Sequence, residues 1–97
     1  MRKIGEGVSM FKMKLVSNGE VIIDEVLSEE AVKSMAEVDD VQDLSYDIYA
    51  NVKINHKCIE LAKLIMKNHN VSEAKLYLTN SYFAKPSTED FELSFTK

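Results

Sequence analysis

The chain has 97 residues, and its 12 Lys and Arg against 16 Asp and Glu give a formal net charge of −4 at pH 7. This length allows one core of ordinary size, and duplex nucleic acid is an unfavourable partner because phosphate binding needs clustered positive charge, whereas the basic residues here are scattered. No apolar segment reaches the roughly 18 to 20 residues that span a bilayer, and the single cysteine excludes an internal disulfide, so we expect a cytoplasmic protein without membrane insertion.

Two strands are predicted near the amino terminus. Apolar and polar residues alternate over residues 11–15, and apolar residues return over residues 20–26. Asn18 and Gly19 separate the two runs. Both residues tolerate the positive φ that a type I′ turn requires, so the pattern predicts a β-hairpin.

A short helix and an acidic connection follow. Ser28 precedes two glutamates, a pattern that predicts a helix amino terminus because the hydroxyl accepts from a free backbone N–H and the dipole favours acids. We expect this helix to end at Met35 or Ala36. The segment 37–43, rich in acidic residues, then connects to the middle of the chain.

The spacing of the apolar residues changes in the middle of the chain. Residues 44–54, LSYDIYANVKI, alternate apolar and polar side chains, which predicts a long strand. From Asn55, the apolar residues recur at helical spacing, which predicts a helix over residues 55–68 with Asn55 as its N-cap.

The remaining elements are strands. Alternation over residues 74–79 predicts a strand that continues toward Phe83, and a turn around Pro86 leads to a closing strand over residues 91–96. The expected fold class is α+β, with a mostly antiparallel sheet or small β-barrel and one principal helix packed on it. We interpret residues 1–9 as a candidate disordered tail and residues 10–97 as a single domain.

Few residues are of the types that catalyse a reaction or bind a metal ion. His56 and Cys58 lie in the first turn of the predicted helix, where a thiol pKa can be lowered, but side chains two residues apart point in different directions. A small buried thiol and a solvated histidine are the simpler interpretation. The acidic residues of the middle region lack the alternation, central glycine and terminal glutamate of an EF-hand. We therefore expect no enzyme, no metal and no cofactor.

The order of the elements resembles that of the tail-tube proteins of contractile phages and the haemolysin-coregulated tube proteins of contractile injection systems. The segments that carry this resemblance are FKMKLVSNGEVII, LSYDIYANVKI, LAKLIM, AKLYLT, NSYFAKP and FELSFTK. The resemblance implies a barrel-like sheet with a helix at one side, whose subunits pair strands into rings that stack into a conduit. It implies a structural role in a phage or injection particle and no catalysis.

Assembly would then use the polar face of the long strand and the acidic connection. The residues we expect at this interface are Glu37, Asp39, Asp40, Asp43, Tyr49, Asn51 and Lys53. Pairing with another chain is one way in which exposed sheet edges are covered. The competing hypothesis is a small acidic protein of the inhibitor or immunity type, whose acidic loop binds a basic partner surface.

Overall fold

The computed structural model describes residues 10–45, 47–82 and 87–95. The candidate tail over residues 1–9 lies outside this range, and so does Phe83. In chain order, the elements are β1 (Phe11–Ser17), β2 (Glu20–Leu27), α1 (Glu29–Ala36), a 3-10 helix (Val41–Ser45), α2 (Ile48–Asn68), β3 (Glu73–Asn80) and β4 (Ser87–Ser94).

The four strands form one antiparallel sheet in the order β2-β1-β3-β4. The α+β class is therefore confirmed, and the sheet is open rather than closed into a barrel. The hairpin prediction is also confirmed, because Asn18 and Gly19 both have positive φ, of 52° and 79°. The two predicted strands after the principal helix are β3 and β4.

The first helix also forms where it was predicted. Ser28 is the N-cap, and its hydroxyl oxygen accepts a 3.1 Å hydrogen bond from the backbone N–H of Ala31. Glu37 ends the helix in the left-handed conformation, with φ of 59°.

The predicted long strand over residues 44–54 is wrong. Residues 41–45 form the 3-10 helix, and α2 already begins at Ile48 and continues for 21 residues. Its N-cap is Asp47, whose carboxylate accepts from the backbone N–H groups of Tyr49 and Ala50. The predicted N-cap, Asn55, instead lies within the helix, where its amide donates to Glu89 of β4 at 3.1 Å.

The burial pattern of α2 explains this error. Every fourth residue of the helix is buried in the core, namely Ala50, Ile54, Cys58, Ala62 and Met66. A repeat of four is also a multiple of two, so the apolar residues at positions 50 and 54 fit a strand pattern and a helix pattern equally well. The helix leaves the other apolar members of the alternation, Ile48 and Val52, exposed.

The core lies on one face of the sheet. On β1, Phe11, Met13 and Leu15 are buried, and α2 reaches the same face through its hydrogen bonds to Asn80 and Glu89. The opposite face carries charged side chains, including the Lys12–Asp24 and Lys75–Asp90 ion pairs at 3.1 and 3.6 Å. The sheet therefore has one packed face and one polar face.

Candidate interaction surface

His56 and Cys58 do not form a reactive pair. Cys58 is fully buried in the core, and this burial raises its pKa to about 12. His56 lies on the exposed side of α2, where its Nε2 is 3.0 Å from a carboxylate oxygen of Glu60. Since a buried neutral thiol is a weak nucleophile, this arrangement offers no activated cysteine at neutral pH.

The acidic connection is exposed but does not form a cation site. Glu37, Asp39, Asp40 and Asp43 are all exposed between α1 and α2. Within residues 10–45, 47–82 and 87–95, no three His, Cys, Asp or Glu side chains are placed to hold a metal ion. We call residues 37–43 the acidic segment.

The other three residues predicted at the interface do not lie on one face of the structure. On a strand, Tyr49, Asn51 and Lys53 would share one face, but on a helix the residues four apart are neighbours. Tyr49 and Lys53 are therefore close on the solvent side of α2. Asn51 instead points toward the sheet, and its side-chain oxygen accepts a 2.8 Å hydrogen bond from the amide of Asn80.

The first turns of α2 expose a group of large apolar side chains. Ile48, Tyr49 and Val52 are 73%, 72% and 64% exposed. Ile48 and Val52 are four residues apart and Tyr49 and Val52 are three apart, so all three lie together on the helix surface. We call these three residues the apolar patch. Sequence analysis missed it because the predicted strand placed Ile48 and Val52 in the core. Asp47 as an N-cap was the signal that could have revealed it.

Basic side chains continue the exposed side of α2 beyond the apolar patch. The exposed lysines of the helix are Lys53, Lys57, Lys63 and Lys67. Leu64, 55% exposed, lies among them, and Glu60 is the acidic residue of this side. Within the helix, Lys53 neighbours Lys57 and Lys63 neighbours Lys67, because residues four apart are adjacent. We call this exposed part of α2 its basic side.

The two outer strands of the sheet carry the opposite charge. β2 contains Glu20, Asp24 and Glu25, β4 contains Glu89, Asp90 and Glu92, and neither strand contains a lysine or arginine. Glu25 pairs with Met13 and Glu89 pairs with Leu78, so each outer strand places an acid on the face that packs against the helices. Such inward-facing charges on an edge strand disfavour further strand pairing.

Comparison with protein-family models, with curated proteins and with solved structures found no match to this chain. The geometry and charge of the surface are therefore the basis on which its function is inferred. Among the helices of the described residues, none is long and apolar enough to cross a membrane.

One open groove lies on the sheet near the β1–β2 turn. It has a volume of about 700 Å³ and is lined by Val16, Lys75, Tyr77, Glu92 and neighbouring residues. The ammonium group of Lys75 lies 5.7 Å from the centre of the Tyr77 ring and 3.6 Å from a carboxylate oxygen of Asp90. Its charge is therefore already paired within the sheet. The groove has no buried nucleophile or base, so the exposed side of α2 is the stronger candidate for function.

Proposed function

We propose that this protein is a non-enzymatic assembly protein, whose subunits associate through the apolar patch at the start of α2. The observation that carries the proposal is the exposure of Ile48, Tyr49 and Val52 side by side. Large apolar side chains that are exposed together are typical of protein interaction sites, and tyrosine is enriched at interface centres.

Burial of the patch would provide a substantial driving force. Fully burying one apolar side chain of this size contributes about 1.5 to 3 kcal/mol. The patch lies on a regular helix that Asp47 caps and whose opposite side is packed into the core. Little conformational entropy is then lost when the patch binds, because the backbone is already ordered.

A tube-like subunit of a phage tail or contractile injection apparatus is the specific form of this function that the sequence resemblance suggests. The chain has the opening hairpin that the resemblance implies, and it has the closing pair of strands with a helix at one side. The segment LSYDIYANVKI is helical over residues 48–54, so it gives the resemblance no support as a strand. Ring formation by strand pairing would also place acidic β2 or β4 edges together. Association through α2 is therefore the form that we favour.

The alternative function is a small acidic inhibitor or immunity-type protein. Its support is the net charge of −4 together with the exposed acidic segment, which would bind a basic surface on another macromolecule. Such a protein acts as a monomer bound to its partner, whereas an assembly protein associates with itself. Oligomeric state therefore separates the two proposals.

The test is size-exclusion chromatography with light scattering over a concentration series. We expect the unaltered protein to form oligomers and the double variant Tyr49→Ser, Val52→Ser to remain monomeric. The matched control is Val26→Ser, because Val26 is 60% exposed but lies on edge strand β2. Loss of oligomers in the control, but not in the double variant, would place the contact at the sheet edge. A monomer at every concentration would reject self-assembly and favour the inhibitor.

A further inference from the structure

The charge of the basic side of α2 is opposite to that of the whole protein. Lys53, Lys57, Lys63 and Lys67 are exposed there, although the chain carries a net charge of −4. Across the residues that the structure describes, no ion pair is found for Lys57, Lys63 or Lys67 within 4.0 Å. These lysines are therefore available to an acidic surface outside the molecule.

The acidic segment of the same molecule does not pair with the last two lysines. Among the described residues, no carboxylate of Glu37, Asp39 or Asp43 lies within 4.0 Å of the ammonium group of Lys63 or Lys67. Both charged regions are exposed. Each is therefore open to a partner surface of the opposite charge.

We propose that the basic side of α2 binds the acidic segment of a second copy of this chain. The inference depends on the proposed self-assembly and names the surfaces that meet in it. Glu37, Asp39 and Asp43 of one copy would lie against Lys63 and Lys67 of the next, with Leu64 among them. Because the acidic segment directly precedes the apolar patch, this contact would also bring the patch toward the neighbouring molecule.

The charges disfavour an arrangement in which two basic sides face each other, because like charges in contact oppose binding. A twofold pair satisfies the charges when the basic side of each α2 meets the acidic segment of its partner, since residue i then contacts residue j and j contacts i. The same contact made head to tail leaves one free surface of each kind on every molecule, and repetition gives a ring or a filament. The molar mass from light scattering distinguishes a closed dimer from a larger assembly.

The test uses two charge-reversal variants that should not associate alone. The first, Lys63→Glu with Lys67→Glu, makes both surfaces acidic. The second, Asp39→Lys with Asp43→Lys, makes both surfaces basic. We expect each variant alone to associate at least about tenfold more weakly than the unaltered protein, because two favourable ion contacts become repulsive. An equimolar mixture should associate again, because the reversed helix of one variant complements the reversed segment of the other.

The control is Lys14→Glu with Lys75→Glu, which makes the same change in net charge as the first variant, but on the polar face of the sheet. It should associate like the unaltered protein, and circular dichroism should show that every variant is folded. Association of both single-surface variants at unaltered strength, or a mixture that stays monomeric, would overturn this inference while self-assembly stands. A monomeric unaltered protein would reject self-assembly itself. Binding of an oligonucleotide that is lost on Lys63→Glu, Lys67→Glu, while assembly is retained, would assign the lysines to nucleic acid instead.

Discussion

The side-chain amide of Asn80 donates a 2.8 Å hydrogen bond to the side-chain oxygen of Asn51. This contact joins the last residue of β3 to the first turns of α2. The oxygen of the Asn80 side chain accepts a second bond, of 2.9 Å, from the backbone N–H of Tyr82. Asn80 is 3% exposed and is the one polar residue among the buried side chains of the described chain. It fixes the start of α2, and with it the apolar patch, against the sheet.

Replacing Asn80 should destabilise the fold. The variant Asn80→Ala leaves the Asn51 oxygen and the Tyr82 N–H without this partner, and such a loss costs about 1 to 3 kcal/mol. Chemical unfolding in urea measures the change. The control is Asn55→Ala, because Asn55 bonds the exposed Glu89 and its loss should change the free energy of unfolding by less than about 0.5 kcal/mol. Equal effects of the two substitutions would contradict the role assigned to Asn80.

Asp47 should determine where α2 begins. In Asp47→Ala, the backbone N–H of Tyr49 loses its acceptor and that of Ala50 keeps only the backbone carbonyl of residue 47, and loss of an N-cap costs about 0.5 to 2 kcal/mol. We expect faster amide hydrogen exchange in the first turn of α2 and a lower free energy of unfolding. Asp43→Ala is the matched control, because Asp43 is exposed in the preceding 3-10 helix and caps no part of α2. Unchanged exchange at residues 49 and 50 in Asp47→Ala would reject the cap.

Glu25 should protect the β2 edge from pairing with other chains. We expect Glu25→Val to cause concentration-dependent aggregation, because it removes a charge that faces the packed side of an edge strand and raises β propensity. Light scattering is measured in the Tyr49→Ser, Val52→Ser background, so that association through α2 does not contribute. Glu30→Val makes the same chemical change on α1, and its scattering should not increase. Equal scattering in the two variants would show a general effect of hydrophobicity.

Cys58 should make stability fall at high pH. Burial raises the pKa of its thiol from 9.0 to about 12, so the folded protein favours the neutral thiol and the unfolded chain ionises first. Stability from this group is complete below pH 9 and falls as the pH rises toward 12, by about 1.4 kcal/mol for each pH unit at most. The free energy of unfolding of Cys58→Ala should lack this part of the decline. Other groups that titrate there affect both proteins, so the difference between them isolates Cys58, and parallel curves would refute the assignment.

The structure differs most from the sequence prediction over residues 44–54. The first hairpin, the cap at Ser28 and the final two strands were predictable, because turn residues, capping side chains and alternation act over a few neighbouring residues. The same alternation gave a strand where the structure has the start of α2. Of the residues predicted at the interface, the acidic ones are exposed, and Asn51 is separated from Tyr49 and Lys53.

The amino-acid sequence by itself determined the α+β class, the two hairpin strands and the short capped helix, because these depend on local backbone preferences. Only the tertiary structure decided that residues 48–54 are helical, since Ala50 and Ile54 can be buried by a strand or by a helix and the packing against the sheet selects between them. That choice exposes Ile48 and Val52 and places Lys63 next to Lys67 on the exposed part of α2. The candidate interaction surface is therefore a consequence of packing, and alternation along the chain could not specify it.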